Sequence, residues 1–180
     1  MTRVIAVAAL VVALTGCTFA SVRPEVAGTP PPTPPRVLVI GDVTFEDALW
    51  ESYRLHFARG VNDWLKRNGG FESVLMERPA TLPADGVVLI SRITELDKGS
   101  AALRLLVGMG AGKAKIKGQF ELQDSSGQVL TRFSSSEAYL GGAGIGGAGF
   151  IDMDDLTRRL AETVAEAARD FARGKPTKAQ

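Results

Sequence analysis

The segment Lys113-Ala-Lys-Ile-Lys-Gly-Gln-Phe-Glu-Leu122 restricts the fold more than any other stretch of the chain. In an extended backbone successive side chains point to opposite faces. Ala114, Ile116, Phe120 and Leu122 therefore share one face, while Lys113, Lys115, Lys117, Gln119 and Glu121 share the other. A strand with one apolar and one wet face belongs to an antiparallel sheet open to water on one side. Asp124-Ser-Ser-Gly127 supplies a turn, and Val129 to Tyr139 returns as the hairpin partner.

The dry face of such a sheet needs a cover, and two segments have helical periodicity. Between Asp47 and about Asn68, the residues Trp50, Tyr53, Phe57, Val61 and Trp64 recur at three and four, closed by Gly69-Gly70. Near the end, Met153, Leu156, Leu160, Val164, Ala167 and Phe171 form a second stripe. Asp152, Asp154 and Asp155 stand at its start, where negative charge is favourable. Further strands are expected at Val37 to Ile40, ended by Gly41-Asp42, at Phe71 to Met76 and at Val87 to Leu96, with a loop from Pro79 to Ala84. The predicted order is β-α-β-β-β-β-α. It describes an α+β two-layer sandwich, a mostly antiparallel sheet with both helices on one face.

The beginning of the chain reads differently. Arg3 precedes an unbroken apolar run from Val4 to Leu14. This run is shorter than the ~20 residues needed to span a bilayer and fits the core of a secretory signal. Leu14-Thr15-Gly16-Cys17 follows directly and resembles the lipobox of bacterial lipoproteins. The resemblance implies cleavage between Gly16 and Cys17, a thioether diacylglycerol on Cys17 and palmitate-like acylation of the new amino group. The partner it implies is a membrane, reached through acyl chains. Thr18 stands where enterobacterial lipoproteins retained at the inner membrane carry Asp, so the resemblance favours the periplasmic leaflet of the outer membrane.

Cys17 is the single cysteine, so disulfides are excluded and packing must stabilise the body. Residues 18–35 hold six prolines. Proline removes backbone donors, so this stretch is expected to form neither helix nor sheet. It is expected to act as a semi-rigid tether reaching at most roughly 55 Å from the bilayer. The expected organisation is a signal peptide over residues 1–16, lipidated Cys17 and tether over 17–35, one domain over 36–173 and a disordered tail over 174–180. Without residues 1–16, the chain balances 20 basic against 20 acidic residues. That balance argues against a nucleic-acid partner.

Two glycine-rich stretches remain, one with Gly108, Gly110 and Gly112, the other with Gly142, Gly144, Gly146 and Gly147. Gly112-Lys113 is followed by Ala114 where a phosphate loop needs Ser or Thr, and Val107 stands where it needs Gly. Gly142, Gly144 and Gly147 satisfy a dinucleotide pattern in form, but the strand and acidic residue it requires do not follow. No nucleotide is expected. These glycines are candidate interaction loops, ordering against a protein partner, another subunit or lipid, or else loops packed on each other.

Arg104-Leu-Leu-Val-Gly-Met-Gly-Ala-Gly-Lys-Ala, Leu122-Gln-Asp-Ser-Ser-Gly-Gln-Val-Leu130, Arg132-Phe-Ser and the glycine run before the last helix resemble the DUF4410 lipoproteins. These are bacterial envelope proteins of unassigned function. The resemblance implies no enzyme activity and no catalytic residues.

His56 is the only histidine, so a zinc site would need three carboxylates, an unusual set. The cluster at Asp152, Asp154 and Asp155 lacks the Gly and distal Glu of a calcium loop. No catalytic residues, metal site or cofactor are therefore expected. The reading is a non-catalytic binding or assembly module for another envelope component. The alternatives are a homo-oligomeric, membrane-associated or pore-forming lipoprotein and, third, an enzyme acting on the cell wall.

Overall fold

The computed structural model describes residues 18–26, 28, 30–100, 113–139 and 152–175. Among them six strands, β1 (Thr18–Val26), β2 (Val37–Phe45), β3 (Ser73–Leu75), β4 (Gly86–Asp97), β5 (Ala114–Gln123) and β6 (Val129–Tyr139), form one sheet in the order β1-β6-β5-β4-β2-β3. Two helices, α1 (Arg54–Asn68) and α2 (Met153–Ala172), pack on each other, α1 over β2 and β3 and α2 over β1, β5 and β6. The sandwich is the one expected, with a sixth strand added and two parallel pairings. β2 runs parallel to β3 and β4, while β4-β5, β5-β6 and β6-β1 are antiparallel.

The alternation in β5 holds residue by residue. Ala114, Ile116, Phe120 and Leu122 are buried, Lys117 and Gln119 exposed. Gly118 falls on the dry face, where the Phe120 ring takes the space of its missing side chain. A Cβ built there would meet Phe120 Cζ at 2.5 Å and the Arg92 carbonyl at 3.0 Å. Phe120 in turn stacks between Phe57 of α1 and Phe133 of β6, at centroid distances of 5.9 and 5.5 Å. This trio joins helix to sheet at the centre of the core.

Three expectations need correcting. Gly41-Asp42 does not end β2; the two residues lie opposite Ile90 alone as a bulge, and the strand continues to Phe45. A bulge absorbs the extra residue and returns Val43 to the buried face. The helix expected from Asp47 starts as a 3-10 turn, Ala48–Tyr53, capped by Asp47 accepting from the Leu49 amide at 2.9 Å. Trp50 and Tyr53 thus sit beside the sheet end, and the buried stripe of α1 is Phe57, Ala58, Val61, Asn62 and Leu65.

The third correction is the largest. Residues 18–26 are not part of a tether but the edge strand β1, whose register runs from Thr18 opposite Tyr139 to Val26 opposite Arg132. Proline is tolerated on an edge strand or beside a bulge. Pro24 meets both conditions, because the register shifts just beyond it. Val22 is buried, and the Ser135 hydroxyl donates to the Ser21 carbonyl at 3.0 Å. The proline-rich stretch that follows links the end of β1 to the start of β2, four strands away in the sheet. Pro35 is buried there, and Gly28 lies against the Leu130 backbone too closely for any side chain.

Candidate functional site

The sheet has two ends. At one, β2, β4 and β6 finish while β1 and β5 begin, since Thr18 and Ala114 both pair with Tyr139 and Asp97 pairs with Lys115. Both helices start at this end, where His56 Nδ1 lies 3.2 Å from the Asp154 carboxylate. At the other end lie the β5-β6 turn and the proline-rich link. Gly16 and Cys17 fall outside the described residues, as do Gly108, Gly110, Gly112, Gly142, Gly144, Gly146 and Gly147. Both glycine-rich stretches nevertheless leave and rejoin described chain at the first end, after Ser100 and Tyr139 and before Lys113 and Asp152.

The carboxylates singled out in the sequence have local work. Asp152 caps α2, accepting from the amides of Asp154 at 2.9 Å and Asp155 at 3.4 Å. Burial pushes the Asp155 carboxyl up, but the hydrogen bonds and charges of Arg159 and Arg158 together outweigh it and hold it below the usual range. Among the described residues no group of three His, Cys, Asp or Glu is placed to hold a metal ion. Of Lys113, Lys115 and Lys117, the last two share one carboxylate within the sheet. Glu95 takes Lys115 at 2.5 Å and Lys117 at 3.2 Å. The Lys115 hydrogen bond does most to hold the Glu95 carboxyl low, against a smaller opposing effect of burial.

On the open face beside this pair, Ser21, Arg23, Ser134, Ser136 and Gln119 line a shallow cavity of about 300 Å³. Ser21 and Ser136 hydroxyls bond to each other at 2.8 Å across β1 and β6, so part of the lining is already satisfied.

A larger groove of about 460 Å³ runs along the outer edge of β2. Its position follows from strand length. β3 pairs only with Val37, Leu38 and Val39, so beyond Leu75 the described residues provide no strand beside Ile40 to Phe45. The groove floor is Gly41 to Thr44, and its walls include Leu55 and Ala58 of α1 and Met76 beyond β3. Leu55 is 47 % and Met76 38 % exposed, Asp42 and Arg78 also line the groove, and so do Arg54 and Glu51, which pair at 3.0 Å. An open strand edge with neighbouring apolar side chains is equipped to receive an extended peptide through main-chain hydrogen bonds. The sequence reading missed this site. The available signal was Leu55, an apolar residue off the buried stripe of its helix.

No helix among the described residues is long and apolar enough to cross a membrane. A family model described as a domain of unknown function, DUF4410, matches residues 56–143. The match begins within α1 and passes β6, so β1, β2 and α2 lie outside it. No curated protein matches the chain. Among solved structures, a PelC dodecamer from Paraburkholderia phytofirmans is similar at 16% identity and a TM-score of 0.47, over 89% of this chain and 99% of that one. A Caulobacter crescentus CB15 protein provisionally described as a lipoprotein is similar at 13% identity and a TM-score of 0.38, over 76% and 88% of the two chains. A Helicobacter pylori protein provisionally described as a neuraminyllactose-binding hemagglutinin homologue is similar at 13% identity and a TM-score of 0.35, over 78% and 82%.

Proposed function

We propose that this chain is a lipid-anchored envelope protein, fixed through acyl chains on Cys17. In this reading it works without catalysis, as a binding or assembly module for another envelope component. The observation that carries the binding role is the open edge of β2 from Ile40 to Phe45, set against a groove walled by Leu55 and Met76. Main-chain donors and acceptors along the edge supply affinity, and the side-chain pockets supply selectivity. The lipobox resemblance supports the anchor, and Thr18 supports the outer membrane's periplasmic leaflet.

A photo-crosslinking amino acid at Leu55 or Met76, introduced in intact cells, tests the reading. A discrete adduct with one envelope protein is expected at both positions, and none at exposed Ser126 on the far turn. An adduct of twice the chain's own mass would assign the edge to self-association. If positions 55 and 76 capture nothing, the binding role of this edge is lost.

A further inference from the structure

We infer that the sheet end formed by the starts of β1 and β5 and the finishes of β2, β4 and β6 lies against the lipid surface, with Leu49 and Trp50 entering the bilayer interface. The inference rests on the anchoring at Cys17 proposed above and adds to it a docking face and an orientation.

The first observation is register. Thr18 is already in the sheet, opposite Tyr139. The lipidated residue is its immediate neighbour, and consecutive Cα atoms are about 3.8 Å apart. No spacer therefore separates the acyl chains from this end of the body. The proline-rich stretch lies beyond β1, at the opposite end, and lengthens nothing between membrane and domain.

The second observation is what that end displays. β2 runs antiparallel to β1 in the sheet, so the 3-10 turn after β2 stands at the end where β1 begins. Leu49 on this turn is 81 % exposed, more than any other large apolar residue described. One exposed leucine is ordinary; one placed on the anchored end beside a tryptophan is not. Trp50 packs edge-on against Tyr53 and carries the Lys98 ammonium 4.9 Å from its ring centroid. Tryptophan and tyrosine favour the headgroup level of a bilayer, and lysine extends its charge from there into water. Lys113 and Lys115 stand at the same end, but so do Asp47, Asp97, Asp152 and Asp154. With both signs present, apolar insertion rather than attraction to anionic headgroups drives the contact. Neutral lipid should suffice.

The chain's two tryptophans make the test direct. The lipidated full chain is reconstituted with vesicles of phosphatidylcholine mixed with its acyl-brominated form. Trp50 is read in the Trp64→Phe variant and Trp64 in the Trp50→Phe variant. Bromolipid should at least halve Trp50 emission and leave Trp64 emission unchanged. Leu49→Asp should reverse most of the Trp50 quenching while the protein still floats with the vesicles. Flotation with Trp50 unquenched, or with both tryptophans quenched alike, overturns the inference and leaves the anchor standing. Failure of the lipidated chain to float removes the anchor and the inference together.

Discussion

Glu137 is 3 % exposed on the dry face of β6, an unusual place for a carboxylate. Burial raises its pKa above the ordinary value, opposed by a 2.7 Å hydrogen bond from the Thr163 hydroxyl and by the charge of Arg159. For an acid with a raised folded-state pKa, the folded chain holds its proton over a pH range in which the unfolded chain has released it. Stability therefore falls as pH rises from the usual carboxyl range through the raised value, and the loss persists above it. Glu137→Gln keeps an acceptor for Thr163 and removes the charge. The variant should be more stable than the parent by about 1 kcal/mol at pH 8 and should lose that advantage near pH 4. Urea denaturation at the two pH values measures this. A variant weaker at pH 8 would mean that Arg159 and Thr163 more than compensate the buried charge. The burial of Glu137 was legible, because Phe133, Ser135 and Glu137 alternate with Ser134 and Ser136. Its partner was not, since Thr163 lies on a different element and only packing brings the two together.

At the scale of elements, the packing of the helix pair includes a contact between two small residues. α1 and α2 lie close together where Gly60 faces Ala161, and a Cβ built on Gly60 would stand 2.8 Å from the alanine methyl. In an isolated helix Gly60→Ala would gain roughly 1 kcal/mol of propensity. Here the added methyl must push the helices apart, and overpacking costs about 1–3 kcal/mol. The expected net result is a loss of about 1 kcal/mol, with much of it recovered when Ala161→Gly is added. A double-mutant cycle by thermal unfolding reads the coupling, and simple additivity would show that the helices are free to separate. The two helical stripes predicted the faces but not this crossing, because Gly60 carries no apolar signal. The same limit hid the bulge in β2. Gly41-Asp42 is a common strand terminator, and only pairing with β4 reveals that the strand resumes.

For the whole molecule, the decisive difference between sequence and structure is the role of residues 18–26. Six prolines over residues 18–35 suggest a spacer, yet only Pro24 lies within β1, on an edge where its missing donor can be tolerated. The other five follow Val26, in the link from the edge strand β1 to β2, four strands away. A spacer and a strand make opposite predictions for truncation. If residues 17–26 were a spacer, a chain starting at Ala27 would unfold at the same temperature as one starting at Thr18. As a strand, their loss bares the β6 edge and uncovers the core beside Val22. The shortened chain should then melt about 10 °C lower, corresponding to roughly 3 kcal/mol for a body of this size, and should tend to associate through the exposed edge. Val22→Asp in the longer chain should have a similar cost of about 3 kcal/mol, because it buries an unpaired carboxylate without shortening anything. Scanning calorimetry on the three non-lipidated chains separates the cases. Equal melting temperatures would restore the spacer and detach the body from the membrane. A matched fall in the truncation and the point variant would make β1 part of the folded body, leaving one peptide unit between the anchor residue and the sheet.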